Sequence, residues 1–359
     1  MQTRKLLFYF FIFLFVIIAP VLTAFSLGYT FNTKTTTVEK TGGIFVKSKV
    51  PRLSIFLDGA FQKETALLSG GALLTELAPR TYLLRIEKEG YQPWFKTVAI
   101  QESLVNEFRN IVLVPHTEFT SRATTTKEEI TRLSPPPPAK LYSLDKKNNV
   151  VDVKSVVIAG NIRTFFSIND TLYLIDRNGF LARRASTSKT LDILGRPGFY
   201  LANNPFTFAA SPQNDLLIID PSGGLFFLSA NDRSLHVIGG GVKYARFDKN
   251  GEKMLAVKEN EILLHWIKDN TYQPFQKAGS EETIFNRDAP ILDAVWFFET
   301  NAHIAIRTAE GIFLTEIDGR GGRNTSEVVS GKTDELFTSP SLPNAIFYRK
   351  NKTWFRIEL

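Results

Sequence analysis

The chain has 359 residues, of which 43% are hydrophobic and 22% are charged, and its formal net charge is +7. This composition excludes a wholly disordered chain, and the length suits two globular domains with connecting segments. No cysteine is present, which excludes disulfides, cysteine-ligated zinc and thiol catalysis. The positive charge favours an anionic partner, such as lipid headgroups, wall polymers or acidic glycans. Nucleic acid is not predicted as a partner, because the basic residues are scattered along the chain.

The N-terminal segment is predicted to span a membrane. Residues 6–33 carry no charge, and residues 6–27 are mostly Leu, Phe, Ile and Val. About 20 such residues in a helix cross a hydrocarbon core of roughly 30 Å. Because Arg4 and Lys5 precede the apolar run, residues 1–28 are predicted to form a cytoplasmic tip and a single-pass plasma-membrane anchor. A cleaved signal peptide is the alternative, and both interpretations place the bulk of the chain outside the cytoplasm.

Residues 29–42 are polar and threonine-rich, which predicts a short tether, and residues 43–115 alternate between short apolar runs and turn residues. The aromatic and β-branched residues in these runs favour strands, and the glycine and proline positions favour turns. Residues 43–115 are therefore predicted to form a small β-sandwich. Its predicted strands are 44–46, 53–57, 82–86, 96–100 and 108–114.

This β-rich segment resembles the PEGA domain, a small β-sandwich family of prokaryotic surface proteins. The residues that carry the resemblance are Asp58-Gly59, Leu77-Ala78-Pro79 and Gly90-Tyr91-Gln92-Pro93-Trp94. The chain departs from the family pattern at Pro51-Arg52-Leu53-Ser54 and at Pro79-Arg80. The resemblance implies a surface-binding or presenting role without catalytic residues. Gly90 permits a tight turn, and Tyr91 and Trp94 are predicted to cap one end of the sandwich and to stack against a ligand.

Residues 116–140 are rich in Thr, Ser and Glu and contain four consecutive prolines at 135–138. Consecutive prolines adopt polyproline II, which extends by about 3.1 Å per residue. The segment is therefore predicted to be a spacer, with a stiff end, between two domains.

Residues 141–359 are predicted to form one domain, and from about residue 160 to the end it contains a repeat of roughly forty residues, in which a strand, a turn and two further strands recur. Such a unit cannot bury both faces of its sheet, so the units are predicted to stack around an axis as a β-propeller. The turns at 211–214 and 247–251 resemble those of WD-repeat-like and TolB-like propellers. Five blades are predicted, or six if residues 141–158 supply more than one strand. Residues 149–158 are predicted to complete the last blade, which ends one strand short.

The candidate chemistry in the repeats is sparse. Asp176 and Asp220 occupy equivalent turns, which favours hydrogen bonding to the turn backbone over catalysis. The segment 248–252 reads as a hairpin turn, because it lacks the remaining ligands of a calcium loop. None of the four histidines has a partner at metal-ligand spacing, so no metal site and no cofactor are predicted. Asp293 is the best single candidate for a catalytic acid in the propeller channel.

These features predict a mainly β, membrane-anchored extracytoplasmic protein of the cell envelope. Its predicted role is binding or scaffolding without enzymatic activity, and its predicted partners are an envelope protein or a cell-wall or surface glycan. The alternative is a surface carbohydrate-active enzyme that uses the propeller channel.

Overall fold

The structure is a computed structural model, in which strands take up 51% of the chain and helices 9%, so the mainly β prediction is confirmed. The chain divides into unit 1, Met1–Phe119 with Asp318–Asn324, and unit 2, Thr120–Ile317 with Thr325–Leu359. The structure describes residues 2–26, 28–32, 37–116, 122–134, 141–168, 171–202, 205–231 and 234–359. The predicted polyproline rod at 135–138 lies outside these residues, as do 33–36 of the predicted tether and Asn169-Asp170 of the first repeat.

Unit 1 begins with helix α1 (Gln2–Ser26), whose stretch Arg4–Ser26 is long and apolar enough to cross a membrane. Its apolar side chains are exposed in the protein itself, as expected for a helix that packs against lipid rather than against a core. The predicted tether that follows contains a hairpin of β1 (Tyr29–Asn32) and β2 (Thr37–Lys40). Two paired strands thus make up much of the described part of the segment, and its role as a tether stays a prediction.

The rest of unit 1 consists of two sheets around one core cluster, as the predicted sandwich requires. Residues of both sheets enter the core, and the rings of Trp94 and Phe108 meet edge to face at 5.4 Å. Gly42–Ser48 pairs with Val105–Ile111 in parallel, and the other strand pairings of these sheets are antiparallel. The first sheet has the order β6 (Gly71–Leu77), β3 (Gly42–Ser48), β9 (Val105–Ile111), and the second has the order β5 (Ala60–Glu64), β4 (Ser54–Leu57), β7 (Thr81–Glu87), β8 (Trp94–Ala99).

The segment Asp318–Asn324 covers the free edge of β8 in unit 1. The Thr97 amide donates to the Gly321 carbonyl at 2.8 Å, and the Asn324 side chain pairs with both backbone groups of Phe95. Gly321 is required for this approach, since it has a φ of +61° and a Cβ there would lie 2.0 Å from the Thr97 carbonyl oxygen. Covering the edge satisfies backbone groups that would otherwise be open to pairing with another chain.

Unit 2 is a series of antiparallel meanders that match the predicted repeats. Four complete four-stranded sheets follow one another along the chain, after a three-stranded sheet and before a last sheet completed from elsewhere. The strands are β11 (Tyr142–Leu144), β12 (Val150–Asp152), β13 (Val157–Ala159); β14 (Ile162–Ile168), β15 (Thr171–Asp176), β16 (Leu181–Ala185), β17 (Asp192–Gly195); β18 (Thr207–Ala210), β19 (Leu216–Ile219), β20 (Leu225–Leu228), β21 (Leu235–Gly239); β22 (Tyr244–Phe247), β23 (Lys253–Val257), β24 (Glu261–Trp266), β25 (Glu281–Asn286); β26 (Ile291–Phe297), β27 (His303–Thr308), β28 (Gly311–Glu316), β29 (Thr325–Ser330); and β30 (Glu335–Ser339), β31 (Leu342–Lys350), β32 (Thr353–Glu358).

The last sheet is completed by β10 (Arg122–Thr125), which pairs with β32 along four residues. The prediction that residues 149–158 supply this strand is wrong, because they pair with one another and with β11 in a separate sheet. Part of the predicted spacer is also folded, since helix α2 (Lys127–Leu133) follows β10 and buries Ile130 against β31. An N-terminal strand thus closes the C-terminal sheet and protects its edge.

Candidate functional site at the entry edge of unit 2

The first strands of successive sheets are neighbours in unit 2, as in a propeller. The rings of Phe166 and Phe208 stack at 5.2 Å between β14 and β18, and contacts join β18 to β22 and β26 to β30. In an antiparallel meander the first strand starts and the second strand ends at the same end of the sheet, measured along the strand direction. We call this end of the sheets the entry edge. Side chains at the starts of the first strands therefore gather there.

A tyrosine, an arginine and an aspartate join two neighbouring sheets near the entry edge. The Tyr244 hydroxyl donates to Asp293 Oδ1 at 3.2 Å, and Arg246 Nη2 lies 3.2 Å from the same oxygen. The Asp293 carboxylate also accepts a hydrogen bond from the Ala294 amide at 2.9 Å. Burial, and then the negative charge of Asp293, raise the pKa of Tyr244, so the phenol keeps its proton and remains a donor.

Asp293 is the acid that the sequence singled out for the channel, and these contacts define its surroundings. One of its oxygens is engaged by a phenol, a guanidinium and a backbone amide, while the Arg246 guanidinium also lies 5.1 Å from the Tyr244 ring. Charge-assisted hydrogen bonds of this kind fix the position of a carboxylate. The arrangement joins the sheets of β22 and β26.

An open polar cleft of about 500 Å³ lies at the same edge, around the start of β14. Two arginines contribute to it, and no carboxylate of the described residues lines it. Arg163 Nε is buried and has no hydrogen-bond partner among the described residues. The lining residues are Asn148, Ile162, Arg163, Thr164, Arg177, Pro205 and Phe206.

A β-bulge places Arg163 in this cleft. Ile162 pairs with Asp176 and Thr164 with Ile175, so Arg163 is the extra residue of its strand. A bulge re-aims a side chain relative to the regular alternation. Arg177 follows Asp176 on the neighbouring strand, and its amide donates to the Asn161 carbonyl at 3.0 Å. Sequence alternation did not reveal these two arginines, because the bulge becomes apparent only once the strand register is known.

The turn aspartates behave as predicted. Asp176 Oδ1 accepts the amides of Asn178 and Phe180, each at 2.8 Å. Asp220 Oδ1 accepts the amides of residues 222 and 224 in the same way, and its Oδ2 accepts the Tyr200 amide at 2.8 Å. Burial alone would raise the pKa of Asp220, but these amides and the Ser222 hydroxyl outweigh burial and lower it. The structural interpretation of both residues is confirmed.

The turn at 248–252 is also a hairpin turn, as predicted, and it contains a buried ion pair. Asp248 Oδ2 lies 2.8 Å from Lys253 Nζ, and the two side chains are 0% and 7% exposed. Asn301 Nδ2 donates to the same oxygen at 2.7 Å from the adjoining sheet. The sequence did not reveal this network, since its third member lies more than forty residues away.

The two predicted stacking residues of unit 1 are placed differently. Trp94 is 3% exposed and belongs to the sandwich core, so its ring presents no face to a ligand in this structure. Tyr91 is half-buried and packs against the same core, and its role in ligand stacking stays a prediction. More exposed rings lie in unit 2, where Tyr272 and Phe275 are 75% and 69% exposed in the loop between β24 and β25.

Within the described part of the chain, no group of three or more His, Asp or Glu side chains is arranged to hold a metal ion. Two of the described histidines contact nearby hydroxyl groups: His236 Nε2 lies 2.7 Å from that of Ser234, and His303 Nδ1 lies 2.9 Å from that of Thr300.

Comparison with known proteins identifies no family. No protein-family description matches the chain, and no curated protein matches it. A solved structure of YCF48 bound to D1 peptide is 10% identical, with a TM-score of 0.33 and coverage of 88% of this chain and 92% of that chain. A solved oligogalacturonate lyase in complex with manganese is 8% identical, with a TM-score of 0.35 and coverage of 56% and 63%. At these values neither structure assigns a site or an activity to this chain, and the PEGA resemblance stays a prediction.

Proposed function

We propose that this chain is a membrane-anchored extracytoplasmic binding or scaffold protein of the cell envelope, which presents unit 2 to a protein or glycan partner. α1 is its single-span anchor with the N-terminus in the cytoplasm. Unit 1 is a PEGA-type sandwich, and unit 2 is a propeller of six blades, one of them with three strands. The sixth blade is supported by β11, β12 and β13, which meet the condition that residues 141–158 supply more than one strand.

One observation carries the binding role. At the entry edge the acid suited to catalysis is held by Tyr244 and Arg246. The open cleft around Arg163 and Arg177, which we call the arginine cleft, has no carboxylate among the described residues that line it. Ligand sites in proteins are concave, have volumes of roughly 300–1,000 Å³ and contain a few polar groups. The cleft has such a volume and polar lining groups, and its two arginines without a described carboxylate beside them make it the candidate site for a partner.

The binding role is tested by affinity capture of the full-length protein from detergent-solubilised envelopes, after brief crosslinking. Wild-type protein is expected to retain a reproducible protein or glycan partner, and Arg177→Gln is expected to retain less of it. Arg132→Gln on α2 is the matched control, because Arg132 is an exposed arginine that does not line the cleft. Failure of the wild-type protein to retain any reproducible partner would contradict the proposal.

The carbohydrate-active alternative makes a separate prediction. Incubation of the full-length protein with wall-polymer and glycan panels should give no turnover if the chain only binds. Turnover that is lost in Asp293→Asn would replace the binding proposal with the enzymatic one, provided that the variant keeps the wild-type unfolding midpoint.

A further inference from the structure

The arginine cleft contains one buried hydrogen-bond donor that no described residue satisfies. Arg163 Nε is buried without a partner, and no ion pair with a described residue engages Arg163 or Arg177. A buried polar group without a hydrogen bond is costly, and native proteins usually satisfy such groups with protein, water or ligand. A ligand with a hydrogen-bond acceptor in the cleft would therefore satisfy Arg163 Nε.

The positive charge of the cleft also favours a ligand that carries an acceptor, namely an anion. Two guanidinium groups line one cavity, and like charges that share a site repel each other. An anion removes this repulsion and accepts hydrogen bonds from both groups. Arginine suits this purpose, because its planar fork matches the paired oxygens of a carboxylate or a phosphate.

The remaining lining residues add neutral polar groups and a hydrophobic wall. Asn148 and Thr164 offer an amide and a hydroxyl, and Pro205 and Phe206 form the apolar side. A bare ion would use only the arginines, whereas a larger ligand that carries an oxyanion would also contact these residues. The volume of about 500 Å³ accommodates a ligand larger than a single ion.

We propose that the arginine cleft is an oxyanion-binding site, in which Arg163 and Arg177 recognise a carboxylate or phosphate group on a ligand that also contacts Asn148, Thr164 and Phe206. This inference rests on the proposed binding function and names the chemistry of its ligand. The two sources of the oxyanion are an acidic sugar and a phosphorylated envelope component.

The test is calorimetric titration of the full-length protein, in a neutral detergent and at low ionic strength, with D-glucuronate and with inorganic phosphate. At least one probe is expected to bind the wild-type protein, and its affinity should fall as salt is added. Arg163→Gln and Arg177→Gln should each weaken binding by about tenfold to a hundredfold, because each removes a charge-assisted hydrogen-bond donor. Binding of glucuronate alone identifies a carboxylate ligand, and binding of phosphate alone identifies a phosphate ligand.

Two variants separate recognition from general charge and from folding. Arg163→Lys keeps the charge but loses the planar fork, so it should weaken binding less than Arg163→Gln. Arg132→Gln removes the same charge elsewhere and should leave the affinity unchanged. Arg177 is exposed, so its variant keeps the test valid if a change at Arg163 disturbs folding.

The inference is overturned if neither probe binds the wild-type protein, or if folded Arg163→Gln and Arg177→Gln bind as wild type does. Partner capture from envelopes that persists in either case would leave the binding function in place with a different ligand chemistry. If the wild-type protein neither binds a probe nor captures a reproducible partner from envelopes, the proposed binding function is contradicted as well.

Discussion

The Lys253–Asp248 network and the arginine cleft, both in unit 2, differ in whether the chain itself supplies a partner for the buried charged side chain. The Lys253 ammonium lies beside the Asp248 carboxylate, and Asn301 occupies the same oxygen, so this buried network is closed by the chain itself. The Arg163 guanidinium also has a buried donor atom, but no described residue accepts from it. Both groups lie on strands of the same kind of meander. A charged residue in a repeat is structural where the fold supplies its partner, and binding is proposed only for the arginines that lack such a partner among the described residues.

The physical difference lies in the neighbouring strands. Lys253 and Asp248 are held by a tight turn, and the rings of Trp266 and Trp296 lie 5.3 and 5.7 Å from the ammonium. These rings exclude water and favour the cation through their faces. The Arg163 side chain leaves its strand at a bulge, toward an open cavity.

The largest effect is expected from opening the closed network. Asp248→Ala leaves the Lys253 ammonium buried without its carboxylate, which should lower the free energy of unfolding by about 3–5 kcal/mol. Urea denaturation followed by tryptophan fluorescence measures this change. The double variant Asp248→Ala/Lys253→Met should recover part of the loss, because it removes the unpaired charge. A loss below about 1 kcal/mol for the single variant would show that the network is not a closed, buried pair.

A smaller effect is expected at a second buried lysine, in unit 1. Lys96 is 1% exposed, and its Nζ donates to the carbonyls of Asp318 and Gly322 at 2.7 and 2.5 Å. Lys96→Met leaves these carbonyls without that donor and should cost about 1–3 kcal/mol. Hydrogen exchange measured by mass spectrometry should show faster exchange in 94–99, where the Thr97 amide donates to Gly321. Lys47→Met, at an exposed position of β3, is the control. Equal exchange of 94–99 in both variants would refute the claim that the Lys96 hydrogen bonds hold the segment Asp318–Asn324 against β8.

His265 lies between the closed and the open case. Its Nδ1 is buried without a hydrogen bond, and the Glu281 carboxylate lies 3.8 Å away. Burial lowers the pKa of His265 and outweighs the opposing attraction of Glu281. The folded state therefore prefers the neutral ring, so this stability is present above the unfolded pKa of about 6.5 and is lost as the pH falls below it.

The corresponding experiment measures the thermal unfolding midpoint between neutral and mildly acidic pH. The midpoint of the wild-type protein should fall over this range, and that of His265→Gln should fall less. An identical pH dependence in the two proteins would mean that the imidazole has no part in it.

The fold was predictable where apolar runs are separated by turn residues, and it was unpredictable where the sequence lacks this pattern. The predicted repeat of strands and turns matches the meanders of unit 2, because buried runs such as 216–219 and 304–306 are separated by turn residues. The closing strand β10 escaped prediction, since Arg-Ala-Thr-Thr carries no apolar alternation and its partner lies at the other end of the chain.

The candidate site was harder to predict, because its residues are also distant from one another in the sequence. The burial of Trp94 was within reach, because alternation along β8 places it on the face of Val98, which is a core position. The arginine cleft was not within reach, because it depends on the bulge at Arg163 and on residues from three sheets. Single-sequence patterns report faces of strands, whereas sites depend on register and on distant partners.

The central claim is that α1 anchors the chain and that both units lie outside the cytoplasm. Because the chain has no cysteine, single variants Leu68→Cys in unit 1 and Tyr272→Cys in unit 2, at positions 98% and 75% exposed, give labelling without background. Sealed right-side-out membrane vesicles are treated with a membrane-impermeant maleimide before and after detergent is added. Full labelling of both variants before detergent is the expected result. Labelling that appears only after detergent would place the two units on the cytoplasmic side and rule out this topology.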